Sequence, residues 1–463
     1  ENAHADGTQM VLPAAPGELE WAMYRLETGG NPALSVQVQL IMLGGPAWFG
    51  IANYAKGGWE FGPAVTDPNY SRPVTASHIS SRDRLHIVVA AYDAVTVRVV
   101  SAGVVLDQPG WAITTIDTYS GVTPISALKL FSDGPGDLPH LATLTHLALD
   151  LYTAGDARPQ NPGDWSNVMA EYAAGESMLR WPLEAEFING KPAMTYVLDS
   201  EDNQVRYTYA TVSAPGPGDW VTVGVGEPTY TPCLSLGLCE LERKPRILYE
   251  DNESDVVRLA SSSTATPGIG DWNVSIVNEG GGRCSLALIN GKLACTYLRG
   301  GAYSTSLYYA LTDEASPAGP ADWSSHEVWG PTSVNYYMMT DLAATPLAGQ
   351  QAPIALLKFG SGECPHLECA TVAEPGGAVD WETAFLDMSS EVGGFSMAIA
   401  TVGGRPAAVY YLEDSRRLQL ALAETANPSS TEDWLVSTLV SDADIGNVAL
   451  DDVGGEPVVA FVD

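Results

Sequence analysis

The chain has 463 residues, with 56 acidic side chains against 22 basic ones and a formal net charge of −34. Nucleic acid and anionic membranes both need a basic footprint, so this balance argues against either as a partner. A hydrophobic content of 45%, with 46 glycines and 31 prolines and no run of about 20 apolar residues, points to short strands and frequent turns rather than long helices or a membrane span.

In chain order, the start at Glu1 without a Met suggests a mature secreted protein whose signal peptide has been removed. Thr8–Leu12 and Trp21–Leu26 read as strands, the second bearing a tryptophan. Repeat units follow over approximately 27–65, 66–117, 118–171, 172–226, 227–278, 279–330, 331–388 and 389–440. From the third unit onward an Asp-Trp pair recurs, at Trp165, Trp220, Trp272, Trp323, Trp381 and Trp434. One aromatic anchor per unit of this length is the mark of a blade array. The unit around Met178–Val223 is the clearest. Leu179–Ile188 reads as a first strand, Asn189-Gly190 as a two-residue hairpin turn, and Ala193–Tyr196 as a second strand. Val205–Val212 reads as a third, and a fourth starts at Asp219-Trp220. First strands are expected near Val36, Ala76, Ala127, Leu183, Leu236, Leu286, Met338, Met397 and Val448.

The last unit shows two strands, Asn447–Val453 and Val458–Val462, and the two N-terminal strands would complete it. The expected fold is thus all-β: a single β-propeller of about nine four-stranded blades, alternatively eight. One blade, shared between residues 1–26 and 441–463, would close it. Each repeated tryptophan is expected to pack between neighbouring blades.

Six cysteines fall in close pairs, Cys233/Cys239, Cys284/Cys295 and Cys364/Cys369. Local pairs near hairpins suggest three short disulfides and an oxidising setting: extracellular, cell-surface or periplasmic. Their spacing does not fit zinc.

The layout resembles that of Asp-box propellers, the sialidase-like BNR repeats, in which a Ser-to-Trp loop joins the third and fourth strands. Ser213–Trp220 and Ser316–Trp323 keep that spacing. The motif's Asp and Gly are replaced by Pro215 and Pro217 in one, and by Ala318 and Pro320 in the other. The chain also resembles secreted bacterial propellers with a Gly-Pro strand. The resemblance implies fold and not activity.

No nucleophile elbow, phosphate loop or dinucleotide fingerprint is present. Glu184 and Glu186 lie two apart on an expected first strand, so they share a face and would line a channel. Trp329, Tyr336 and Tyr337 are candidate platforms for a glycan or peptide. The acidic loops Asp199/Glu201/Asp202 and Asp251/Glu253/Asp255 offer the oxygens calcium needs, without the spacing of an EF-hand. These features are read as a secreted, non-enzymatic binding or scaffold module for glycan, extracellular protein or matrix. A structural subunit of an extracellular assembly, with self-association, is one alternative. A polysaccharide-degrading enzyme of sialidase or glycosidase type is another, and would need a convergent carboxylate pair.

Overall fold

The computed structural model describes residues 10–13, 18–27, 33–66, 68–80, 84–92, 95–106, 113–116, 125–132, 138–159, 161–172, 177–199, 204–226, 233, 235–251, 253–301, 304–332, 339–347, 349–358, 366–386, 397–413, 415–441 and 444–463. They form two compact units, Glu1–Ile113 and Thr114–Asp463. No helix among them is long and apolar enough to cross a membrane.

The first unit holds β1 (Met10–Pro13), β2 (Leu19–Glu27), β3 (Ala33–Leu43), β4 (Trp48–Asn53), β5 (Gly58–Phe61), β6 (Asn69–Pro73), β7 (Arg84–Tyr92) and β8 (Thr96–Leu106). They build two antiparallel sheets, ordered β1-β8-β3-β6 and β2-β7-β4-β5. This interleaved order of eight strands is that of a jelly roll. Val36, Val38 and Leu40 of β3 and Val97 and Val99 of β8 alternate inward. They meet Phe49, Ile51, Ile87 and Val89 of the other sheet in one core.

The second unit starts with β9 (Ala127–Ser132), β10 (Pro139–Leu144), β11 (Ala148–Ala154) and β12 (Trp165–Tyr172). The next two sheets are β13 (Ser177–Ile188), β14 (Lys191–Asp199), β15 (Val205–Ala210) and β16 (Trp220–Gly224), then β17 (Leu236–Leu241), β18 (Lys244–Asp251), β19 (Val256–Ser262) and β20 (Trp272–Glu279). There follow β21 (Gly281–Ile289), β22 (Lys292–Gly301), β23 (Ser304–Thr312) and β24 (Ser324–Thr332), and β25 (Met339–Leu347), β26 (Gln350–Lys358), β27 (His366–Ala370) and β28 (Trp381–Phe385). The last are β29 (Met397–Val402), β30 (Arg405–Leu412), β31 (Arg417–Ala423) and β32 (Trp434–Ser441), and the pair β33 (Asn447–Val453) and β34 (Glu456–Val462). Each four-stranded sheet is a simple antiparallel meander, the arrangement of a β-propeller blade. Asn189 and Gly190 (φ +53° and +70°), like Asn290 and Gly291 (+52° and +76°), adopt the left-handed geometry of a tight hairpin turn.

Consecutive first strands pack side by side, from β9 and β13 through to β29 and β33, and β33 also packs against β9. Leu130, Leu141 and Tyr152 of the first sheet share a cluster with Ala449, Val458 and Ala460 of the last. Ser132 Oγ donates to the Asp452 carbonyl at 3.3 Å, and Arg158 pairs with Glu456.

Two expectations need correction. Residues 27–65 and 66–117 do not form meandering blades, and the N-terminal strands do not complete the C-terminal pair. β1 pairs with β8 and β2 with β7. The long strand β8 aligns its valines with both β1 and β3, so β1 has its partner within its own unit. Among the described residues the strands thus form nine sheets, of which eight are four-stranded and the last has two strands.

The disulfides are the second correction: Cys233, Cys239, Cys284, Cys295 and Cys369 are buried free thiols, and Cys364 lies outside the described residues. Cys233 packs in the core between the second and third sheets, whereas Cys239 packs in the core between the third and fourth, on the opposite face of the third sheet. Cys284 faces Tyr297 and Cys295 faces Leu286, which staggers the two sulfurs on adjacent strands beyond bridging distance. Thiols of this kind do not point to an oxidising compartment.

Candidate functional site

The Asp-Trp repeat comes first, because it sets how the sheets stack. In every copy the Asp carboxylate accepts backbone N–H groups of the turn just before it: Asn161 to Asp164, Gly216 to Asp219 and Gly268 to Asp271 (2.8 Å each). The others are Ala318 to Asp322 (2.6 Å), Gly376 to Asp380 (2.8 Å), and Ser429 and Ser430 to Asp433 (2.9 Å each). The clamped turn launches the tryptophan into the cluster shared with the preceding sheet. Trp220 packs on the core between the first and second sheets, Trp272 between the second and third, and Trp323 between the third and fourth. Trp381 and Trp434 repeat the placement, and Trp165 packs on the cluster that joins the first sheet to β33-β34. All six rings thus pack in clusters shared by two sheets.

Polar chemistry gathers on the first strands. Lys129 of β9 forms an ion pair with Glu184 of β13, Nζ to Oε2 2.7 Å, with the side chains 34% and 25% exposed. Burial alone would lower the Lys129 ammonium. The charges of Glu184, Asp341 of β25 and Asp451 of β33, and the Glu184 hydrogen bond, reverse this and hold it above the ordinary lysine value. Burial pushes the Glu184 carboxyl up, against the attraction of Lys129. Burial also carries Glu186 to about 7; the Phe187 N–H (3.1 Å) and Lys129 pull it down, while Asp451 and Glu240 of β17 add to the rise. Asp451 reaches about 6 from burial, opposed by a Ser132 hydrogen bond and by Lys129. Asp341 accepts from Ser285 Oγ of β21 (3.1 Å), from the Leu342 N–H (2.8 Å) and from the Ile399 N–H of β29 (3.5 Å). One cation and four carboxylates, drawn from four separate sheets, thus share one electrostatic environment.

Of the residues expected from sequence, Glu184 and Glu186 enter this cluster. Lys129 and Asp341 were missed. The signal at Lys129 was a charge set within apolar strand sequence, Leu128-Lys129-Leu130, at one of only six lysines. Trp329 lies elsewhere, on the outer strand β24 opposite Leu307, packed on the core between the fourth and fifth sheets. Tyr336 and Tyr337 lie outside the described residues, as do Glu201 and Asp202. Asp199 ends β14. The buried Asp251 carboxylate accepts from Arg258 Nε (2.8 Å) and from the backbone of Glu253 and Ser254 (3.2 and 3.4 Å). Glu253 and Asp255 project from the same turn. Among the described residues no three His, Cys, Asp or Glu side chains converge at metal-binding distance.

No family model matches the chain, and no curated protein matches it. Among solved structures it is similar to AofleA from Arthrobotrys oligospora: 10% identity, 73% of this chain, 88% of that one and a TM-score of 0.45. It is also similar to a polysaccharide lyase of family PL25, an ulvan lyase (8%, 71%, 88%, 0.47). A third likeness is to the fucose-binding, six-bladed β-propeller lectin of Aleuria aurantia (12%, 70%, 96%, 0.42). At such identities and TM-scores neither ligand nor activity carries across.

Proposed function

We propose that the chain is a non-enzymatic glycan-binding module, with the cluster around Lys129 as its recognition site and residues 114–463 as a closed ring of seven blades. The observation that supports this most is the convergence of Lys129, Glu184, Glu186, Asp341 and Asp451 from four sheets. A few polar groups converging within an otherwise apolar scaffold are the ordinary make-up of a small-ligand site. Carboxylates accept from sugar hydroxyls and an ammonium donates to them, a complementarity that neither aliphatic nor anionic ligands satisfy. The test is a glycan array on the purified chain, run with calcium and with chelator, alongside Lys129→Ala and Glu186→Gln. Binding that both substitutions weaken at least tenfold is expected. Silence on the array, or binding indifferent to both variants, would remove the cluster from the account; loss of binding with chelator alone would move attention to the acidic loops.

A second reading has one specific observation behind it. Glu186, with a carboxyl carried to about 7 beside Lys129, has the character of a general acid–base on a glycosidic bond. Release of reducing ends or unsaturated products from a polysaccharide panel, abolished by Glu186→Gln, would favour an enzyme over a binding module.

A further inference from the structure

Of the two outer sheet faces of the jelly roll, that of β2-β7-β4-β5 carries the exposed aromatic rings. Ala22, Phe49, Ile51, Ile87 and Val89 of the β2-β7-β4-β5 sheet point into the core. The alternate residues form the opposite face, and five of them, Trp21, Trp48, Trp59, Phe61 and Tyr92, are aromatic. Trp21 and Phe61 are each 56% exposed, Tyr92 44% and Trp59 42%. The register brings them into rows: Trp21 faces Ala90, which faces Trp48, and Met23 faces Val88, which faces Gly50, which faces Phe61. Trp48 meets Tyr92 edge-on at 6.3 Å between centroids. Gly50 is required here, since a Cβ would come within 2.8 Å of Val88 Cγ1 and 2.9 Å of the Phe61 ring. Small residues thus lie between the rings, and Trp21 and Trp48 stand roughly 10 Å apart, two strand spacings.

We propose that this face is a stacking platform for a neutral polysaccharide chain, a site separate from the Lys129 cluster. Exposed apolar patches of this extent mark interaction surfaces. The choice of occupant rests on charge and on ring chemistry. The formal charge of −34 repels anionic polymers and opposes stacking against a second copy that carries the same charge. A neutral glycan has no such penalty, and its C–H-rich sugar faces lie flat on aromatic rings while its hydroxyls stay in water. Rings set in rows across four strands suit successive sugars of a chain better than one small ligand.

The experiment is affinity electrophoresis of the full chain in gels containing xylan, mannan or mixed-linkage β-glucan, with pull-down on microcrystalline cellulose and chitin. The variants are Trp21→Ala and Trp59→Ala, and both leave the core untouched. Retention by at least one of these neutral polymers is expected, reduced at least tenfold in each variant and kept by Tyr172→Ala, an equally exposed ring of the second unit, with melting temperatures preserved. Both tryptophan variants keep Lys129, so their loss of retention separates this platform from the glycan site proposed above. The proposal is overturned by absence of retention on every polymer, or by retention that both tryptophan variants keep. It is equally overturned if the chain sediments as a dimer that Trp21→Ala dissociates, which would assign the face to a second copy.

Discussion

Aspartate and tryptophan divide the work of each repeat between them. The carboxylate fixes the turn, and the ring fills the gap between sheets. Asp433 illustrates the first role: its hydrogen bonds from the Ser429 and Ser430 backbone and hydroxyls hold the carboxyl below its ordinary value. Its contribution is therefore present at neutral pH and lost on acidification through that lowered pKa. Asp433→Ala is expected to cost about 1–2 kcal/mol in urea unfolding at pH 7. Trp434, only 4% exposed, is expected to cost more on truncation to alanine, about 3–5 kcal/mol. Equal effects of the two would show that the turn, and not the packing, carries the repeat. At the Lys129–Glu184 pair, Lys129→Met alone should destabilise by about 1–2 kcal/mol, less than a fully buried pair because the lysine side chain is 34% exposed. Adding Glu184→Gln should recover part of that loss, and strict additivity in the double-mutant cycle would mean the two groups do not interact.

Sheets stack through close contacts between their first strands. Gly237 of β17 is the tightest such point, where a Cβ would lie 2.5 Å from the Leu286 Cβ and 2.7 Å from its backbone nitrogen. Backbone cannot yield as a side chain can, so Gly237→Ala should cost about 1–3 kcal/mol. Thermal melting of this variant would show whether neighbouring sheets stand as close as described. At this scale the sequence was informative wherever turn chemistry was explicit. Asn189-Gly190 and each Asp-Trp placed their hairpins and outer strands, and the first strands at Ala127, Leu183, Leu236, Leu286, Met397 and Val448 were found in order, whereas Ala76 lies in a short 3-10 turn, Val36 lies in the jelly roll and Met338 lies outside the described residues. The jelly roll was not legible. Its sheets join strands far apart in sequence, such as β1 with β8, and alternation in a single strand carries no record of its partner. For the same reason Glu184 and Glu186 could be placed on one face, but the lysine opposite them could not. The cysteine pairs misled because sequence proximity was taken for spatial reach.

For the whole molecule, pH is the most direct probe. Glu186, Asp451 and Glu368 all hold their protons more tightly in the fold than in the unfolded chain, chiefly through burial, at about 7, 6 and 7. Raised carboxyl values contribute stability below the unfolded pKa of about 4, and that contribution fades as pH climbs through 6–7. The melting temperature is thus expected to be higher at pH 5 than at pH 8, with Glu186→Gln flattening the slope. A slope of opposite sign would refute the burial of these groups. Every described strand of the second unit pairs within that unit. Residues 114–463 expressed alone should therefore fold and melt cooperatively, as circular dichroism would report.

The packing of β33 on β9 has a consequence for synthesis. The Ser132–Asp452 contact joins residues 320 positions apart, so the first sheet leaves the ribosome long before the strand that covers Leu130, Leu141 and Tyr152 exists. Until residues 447–462 emerge, that apolar flank waits beside five further sheets that can already stack on one another. A stalled or prematurely released chain would present two uncovered flanks, one on the first sheet and one on the sixth, each shaped for the face of a neighbouring sheet. Such fragments should join chain to chain, and quality control in the producing cell would meet them as oligomers rather than as unfolded monomers.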